Sequence, residues 1–325
     1  MKEEEIRPKK IFDEYLSLAI KDTETYFSMV KRVSGFCPAC ESVGDHAFDK
    51  NGFSYEVCPN CQTLFVNPRP VALAFSKYYT ESPSSKYWAS TFYKETAEAR
   101  REKLWKPKAR LILQTLEKYN SSEYMLVDVG GGFGLFAEEI RLLSGMTPVV
   151  IEPGPDLAAA CRDKSMHVVE KFLEDVVPAD LPSGAKAFVS FELFEHLHDP
   201  SAFLGQLMGL MNSGDLFIFT TLSGAGVDIK ALWEDSKSVM PPHHLNFLNP
   251  RSVELLLNRL GFESLSITTP GKLDIDILEN NFEAIKDHFW RTFIATASHD
   301  QKKEWQAMIA ASGWSSHMMV VCRKP

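Results

Sequence analysis

Hydrophobic and polar positions follow helical spacing through the first third of the chain, then switch near Tyr124 to short apolar runs set between helical stretches. Over residues 9–32, Ile11, Tyr15, Leu18, Ala19 and Tyr26 recur at helical spacing, which predicts an amphipathic helix. From Phe48 to Val57 aromatic and polar residues alternate around Asn51-Gly52, a dipeptide that favours a two-residue hairpin turn. After Asn67-Pro68-Arg69-Pro70 the helical spacing resumes with Leu73, Phe75 and Tyr78-Tyr79. It breaks at the Ser/Pro-rich 82–85 and gives way to a charged, aromatic stretch over 86–119. Beyond Tyr124, strands are predicted near 124–129, 148–152, 166–169, 186–191 and 215–221, with helices near 133–144, 155–164, 199–211 and 250–260. Two further strand candidates, 263–269 and 315–323, enclose an amphipathic stretch at about 274–311 that reads as helix. Strand–helix alternation of this kind predicts an α/β fold, a parallel sheet wound with helices on both faces.

Composition narrows the class. The 325 residues suffice for one large α/β domain with an attachment, and 45% hydrophobic content excludes a disordered chain. The longest apolar runs, such as Leu216-Phe217-Ile218-Phe219, are too short to span a bilayer, so no membrane partner is expected. The N-terminal Met-Lys-Glu-Glu-Glu has no apolar export signal, and the cytoplasm is the expected compartment. A net charge of −8 argues against a general nucleic-acid coat. Residues 77–118 nevertheless hold ten Lys/Arg against five Glu, either a solvated helix face or a surface that meets an anionic substrate. The pattern specifies no oligomeric state.

Four of the six cysteines form Cys37-Pro-Ala-Cys40 and Cys58-Pro-Asn-Cys61, a C-x2-C-x17-C-x2-C array. Two residues between cysteines let one tight turn aim both sulfurs at one ion, and two such turns close a tetrahedral zinc site. Disulfides are disfavoured in the cytosol, and a redox C-x-x-C would open a helix in a thioredoxin-like unit, which this segment lacks. With the Asn51-Gly52 hairpin between the pairs, the segment reads as a zinc ribbon holding structural Zn2+ on Cys37, Cys40, Cys58 and Cys61. Four thiolates leave no open coordination position for catalysis. Cys161 and Cys322 lie in apolar-patterned segments and read as ordinary buried thiols.

The strand Met125–Val129 runs into Gly130-Gly131-Gly132-Phe133-Gly134, and a helix pattern follows. A glycine turn between strand and helix brings backbone N–H groups against a ligand. The dinucleotide fingerprint G-x-G-x-x-G fails, because its sixth position is Leu135; the match is D-x-G-x-G-x-G over Asp128–Gly134. This loop resembles motif I of class I S-adenosylmethionine-dependent methyltransferases. The resemblance implies that Asp128, Gly130, Gly132 and Gly134 face the methionine part of the cofactor. It also implies that an acid ending the second strand binds the ribose hydroxyls, and Glu152 stands 18 residues after Gly134 in Val149-Val150-Ile151-Glu152. The stretch Phe188–Pro200, with Phe191-Glu192 and then Glu195-His196-Leu197-His198-Asp199-Pro200, resembles the family's fourth-strand motif and adds Phe191 and Glu192 to the cofactor pocket. Asn212-Ser213-Gly214-Asp215 then resembles the turn into the fifth strand.

The family implies a doubly wound, mostly parallel seven-stranded sheet, Rossmann-like, with the small zinc ribbon in front. The expected organisation is an N-terminal helix and ribbon over 1–70, a helical cap over 71–120, and a methyltransferase domain over 121–325 with a helical insertion near 274–311. An N-terminal four-cysteine module before this core resembles a subgroup acting on nucleotide-linked sugars. That subgroup carries a Glu-His step after the fifth strand; this chain has Pro241-Pro242-His243-His244, so His243 stands in place of the Glu. Methyl transfer to a hydroxyl or carbon acid needs a base, most often His. His196 after the fourth strand and His244 after the fifth are the candidates, against structural roles for both. Tyr78, Tyr79, Tyr87, Trp88, Phe92, Tyr93 and Trp105 could wall the cleft or pack the core, and Trp233 is equally open. The expected partner is a small-molecule acceptor. An RNA or protein methyltransferase is the alternative, weakened by a ribbon region with nine Lys/Arg against eleven Asp/Glu over 1–70. A methyltransferase-like scaffold without turnover is the third reading.

Overall fold

The computed structural model describes residues 2–325. Seven strands form the main sheet: β1 Met125–Val129, β2 Val149–Ile151, β3 His167–Val169, β4 Lys186–Phe191, β5 Leu216–Leu222, β6 Glu263–Thr268 and β7 His317–Arg323. Their order is β6-β7-β5-β4-β1-β2-β3. β1 to β5 pair in parallel, while β7 runs antiparallel between β5 and β6. The sheet is therefore doubly wound and mostly parallel, as the alternating pattern predicts. β4 and β5 are largely apolar runs because helices cover both their faces, and the two edge strands, β3 and β6, are the partly exposed ones.

Local signals set the helices. Asp199 caps Pro200–Leu210 by accepting the N–H groups of Ser201 and Ala202, and Asn249 caps Pro250–Arg259 by accepting that of Ser252. The stretch expected as helix over 274–311 is three helices, Asp274–Asn280, His288–Thr296 and His299–Ala311. Asp287 and Ser298 are N-caps there, and Ser298 forms a capping box with Gln301. The continuous amphipathic pattern hid these two restarts. The N-terminal helix spans Lys9–Phe27 and stops short of residue 32, because Arg32–Val33 pairs antiparallel with Arg69–Pro70. Helical segments Pro83–Tyr87, Tyr93–Arg100 and Lys106–Lys118 follow one another through single π turns at Trp88–Phe92 and Arg101–Trp105.

The cysteine-bearing segment folds as a hairpin, Asp45–Lys50 against Phe53–Val57, turned by Asn51 and Gly52 at φ 46° and 75°. Positive φ at both turn residues is what a type I′ turn requires. Leu64–Val66 adds a third strand, and Asn246–Phe247, from the loop after β5, adds a fourth. Cys37, Cys58, Cys61 and Phe65 share one continuous core with Phe194, Phe217 and Phe219 of the main sheet region. No helix among the described residues is long and apolar enough to cross a membrane.

Candidate active site and cysteine cluster

The loop after β1 is shaped by backbone that only glycine tolerates well. Gly130, Gly132 and Gly134 take φ of 74°, 55° and 68°. Gly131 is constrained by space: a Cβ there would lie 2.6 Å from Val150 Cγ1 and 3.0 Å from Asp128 Oδ2. Glu152, just past β2, ties the loop down, since Oε2 accepts the Gly132 N–H at 2.9 Å and Oε1 the Gly154 N–H at 2.9 Å. Burial raises the Glu152 pKa against these two hydrogen bonds. Asp128, 2% exposed, leaves Oδ2 without a partner. Burial, and then the neighbouring Glu152 charge, push its pKa up to about 7. From the cap, Tyr93 stacks on Phe133 of the loop with ring centroids 4.4 Å apart, and Arg100 lies over the Tyr93 ring at 5.6 Å.

At the end of β4, Phe191 is buried against Phe136, with centroids 4.5 Å apart, and Lys108 Nζ sits 4.6 Å from its ring centroid. Glu192 follows in left-handed backbone at φ 52°, a strained geometry for a residue with a side chain. Its Oε1 accepts the Thr220 hydroxyl at 2.7 Å and Lys108 Nζ at 3.3 Å, with His317 Nδ1 at 3.4 Å. Burial would raise its pKa, but His317, Lys108 and the Thr220 bond outweigh it and hold the carboxyl at about 2. Glu195, 2% exposed, accepts the Thr221 hydroxyl at 2.7 Å; burial and the Glu192 charge push it to about 8.

The two candidate histidines meet. His196 and His244 lie edge to face, their planes at 68° and their ring centroids 4.8 Å apart. His244 Nδ1 bonds the Ser238 carbonyl, which only accepts, so Nδ1 carries the proton and Nε2 keeps its lone pair. Burial lowers His196 to about 4 and His244 to about 3, leaving both rings neutral at physiological pH. His243 parts from its neighbour: its Nε2 shares a 2.6 Å hydrogen bond with the Tyr78 hydroxyl, itself 2.8 Å from Ser84 Oγ. Glu195 Oε, a His196 nitrogen and a His244 nitrogen all lie within 4.8 Å of one another.

The ribbon holds these loops in register. The Tyr55 hydroxyl donates to the His244 carbonyl at 2.7 Å, and Leu245 N–H donates to the Glu195 carbonyl at 2.7 Å. Arg69 bridges the His198 carbonyl and Asn246 Oδ1, while Asn246 Nδ2 donates to the Leu197 carbonyl at 2.7 Å.

Most of the aromatic stripe packs. Tyr78 and Phe92 are fully buried, Trp88 stacks on Phe92 at 4.2 Å, and Trp233 meets Phe48 edge-on at 5.2 Å. Much of the basic segment is ion-paired: Arg101 with Glu138 and Glu139, Lys103 with Glu5, Lys106 with Glu102. Lys108, Thr220 and His317 join the site without a sequence signal, because a lysine on an amphipathic helix and a histidine opening a late strand announce nothing by spacing. Glu195 lay inside the Glu-His-Leu motif.

In the ribbon, Cys37 Sγ lies 3.5 Å from Cys61 Sγ, and Cys40 Sγ lies 3.4 Å from Cys58 Sγ and 3.5 Å from Cys61 Sγ. These separations far exceed the roughly 2.05 Å of a disulfide. The two turns are built alike: Cys37 N–H donates to Ser42 O and Cys58 N–H to Thr63 O, and Glu41 and Gln62 take φ of 59° and 61°. Cys161 and Cys322 are buried single thiols.

The strand order, the glycine turn after β1 and the acid after β2 define a class I S-adenosylmethionine-dependent methyltransferase. The chain belongs to the methyltransferase domain family, whose model matches residues 97–267. Among solved structures it is similar to a SAM-dependent methyltransferase from Thermotoga maritima, at 15% identity over 72% of this chain and 98% of that one, TM-score 0.45. A SAM-dependent methyltransferase from Archaeoglobus fulgidus matches at 16% identity over 66% and 94%, TM-score 0.44. The plantazolicin methyltransferase BamL, in complex with a triazolic desmethylPZN analog and SAH, matches at 13% identity over 77% and 93%, TM-score 0.48. No curated protein sequence matches the chain.

Proposed function

We propose that this methyltransferase acts on a small-molecule acceptor, of the nucleotide-linked sugar or secondary-metabolite class, with His244 as general base. The observation that carries the reading is the His196–His244 pair, in which the Ser238 carbonyl leaves His244 Nε2 unprotonated. The residues present suit the cofactor. Gly130–Gly134 form a cradle that a side chain at Gly131 would fill, Asp128 keeps an unpartnered oxygen, and Glu152 sits where ribose hydroxyls would be bound. Phe191 would form the floor beneath the adenosine side, and Glu192 would face it from β4.

S-adenosylmethionine, when bound, supplies an electrophilic methyl on a sulfonium. The chain aligns the acceptor with that methyl, excludes water and takes the acceptor proton on His244 Nε2. His196 packs against that ring with centroids 4.8 Å apart. Glu195, held near neutrality and bonded to Thr221, fixes the loop that carries His196.

The cysteine array suits structural Zn2+: four soft ligands on two matched turns, with no place for water. The proposed zinc would lock the ribbon whose Tyr55 and Leu64–Val66 strand position the His244 loop.

Label transfer from methyl-labelled S-adenosylmethionine tests the acceptor class, using nucleotide sugars, hydroxylated metabolites, tRNA and peptides side by side. Transfer to a small molecule supports the reading, and transfer to RNA or peptide alone overturns it. On the active acceptor, His244→Gln is expected to slow the single-turnover rate by about 10²–10⁴-fold. An unchanged rate removes His244 from the base role.

A further inference from the structure

The loops after β4 and β5 gather three side chains of metal-ligating type, well away in sequence from the cysteine array. A Glu195 carboxylate oxygen, a His196 ring nitrogen and a His244 ring nitrogen all lie within 4.8 Å of one another. Two imidazoles sharing one ion at about 2.1 Å place their ring centroids about 5 Å apart. Those of His196 and His244 are 4.8 Å apart, with the planes at 68°.

The surroundings orient these groups as a metal site orients its ligands. His244 gives its Nδ1 proton to the Ser238 carbonyl, so Nε2 is the atom left to bind an ion. Glu195 Oε2 accepts the Thr221 hydroxyl at 2.7 Å, which fixes the carboxylate from outside the cluster. The backbones are tied as well. Leu245 N–H donates to the Glu195 carbonyl, His196 N–H to the Leu193 carbonyl, and the Tyr55 hydroxyl to the His244 carbonyl. Glu195 is 2% exposed, yet it makes no ion pair within 4 Å among the described residues. A carboxylate withdrawn from water in this way calls for a counter-charge, which a bound cation supplies. Two imidazoles and one carboxylate suit a borderline divalent cation such as Zn2+, Co2+ or Ni2+. Three protein ligands also leave a coordination position open, unlike the four thiolates of the ribbon.

We propose that Glu195, His196 and His244 form a second metal site, for a divalent first-row transition cation, and that its occupancy shuts off methyl transfer. The shut-off rests on the His244 base reading above. Nε2 has one lone pair, so it can hold an ion or take the acceptor proton, and not both. The ion would also fill the space that an acceptor hydroxyl must enter to reach that nitrogen.

Co2+ titration of protein first loaded with Zn2+ on the cysteine array tests the site. Co2+ on imidazole and carboxylate gives visible ligand-field bands without thiolate charge transfer, so the two sites are told apart by spectrum. Wild type is expected to take one Co2+ per chain in this form. Glu195→Gln and His196→Gln should each weaken it more than about 100-fold, beyond the 10–100-fold that loss of an outer-shell partner costs, and Thr221→Val should fall within that outer-shell range. Thermal unfolding and S-adenosylhomocysteine binding report the fold of each variant. Absence of thiolate-free Co2+ bands in wild type, or equal Co2+ affinity in wild type and a folded His196→Gln, overturns the site. On the active acceptor, the single-turnover rate is expected to fall in step with Co2+ occupancy and to return when a chelator too weak to strip the ribbon removes the ion. Full occupancy with an undiminished rate would leave the site standing and overturn both the shut-off and His244 as base.

Discussion

His244 owes its proposed role to a single backbone carbonyl. Because Ser238 O can only accept, the imidazole proton stays on Nδ1 and the lone pair stays on Nε2. The depressed pKa values, about 3 for His244 and about 4 for His196, set the pH dependence: the neutral base form persists from neutral pH down to about 4 and is lost below. At saturating cofactor, kcat is therefore expected to show no histidine limb between about pH 5 and 8, where an ordinary histidine near 6.5 would cost about thirtyfold by pH 5. A limb at 6.5 that disappears in His244→Gln would contradict the packing-induced shift. Asp128 behaves in the opposite sense. Burial holds it at about 7, and a cationic group of a bound cofactor beside it would favour the ionised form, so cofactor binding near pH 7 should then release protons and weaken as pH falls. Calorimetry in buffers of differing ionisation heat measures that release, and Asp128→Asn should remove it. At Gly131 the limit is steric: Ala would bring Cβ to 2.6 Å from Val150 Cγ1, with a cost of about 1–3 kcal/mol from overpacking, visible as a lower urea midpoint.

Elements join the site through the ribbon. Its third strand pairs with Asn246–Phe247, and Tyr55 holds the His244 carbonyl, so disturbing the cysteine array should move the proposed base without touching it. Cys58→Ser, or chelation, is expected to lower thermal stability and the methyl-transfer rate together, with metal analysis showing loss of one zinc per chain. Full activity in metal-free protein would separate the ribbon from catalysis. Tyr55→Phe offers a milder probe: loss of one hydrogen bond costs about 1 kcal/mol and should reduce the rate while zinc stays bound. Much at this scale was legible beforehand. Asn51-Gly52 carries its turn in two residues and Asp128–Gly134 carries its loop in seven. The Asn246–Phe247 strand was not legible, because two residues show no period and their partner lies far away in sequence. Nor were the restarts at Asp287 and Ser298, where amphipathic spacing runs on across a cap.

Across the whole molecule, the recognised fold came from alternation that every part of the sheet repeats, whereas the site comes from long-range meetings. Lys108 from the cap, Thr220 from β5 and His317 from β7 converge on Glu192, and no spacing in the chain encodes that convergence. The ribbon sheet shares this dependence on distant partners, and for it the order of synthesis matters. Leu64–Val66 leaves the ribosome about 180 residues before Asn246–Phe247 arrives to cover its edge. At about 5–20 residues per second, that apolar strand waits roughly 10–40 s with unpaired backbone. Metal capture by the two cysteine turns would hold the hairpin compact during the wait, so, on the zinc reading proposed above, withholding zinc during translation is expected to raise the aggregated fraction of the chain.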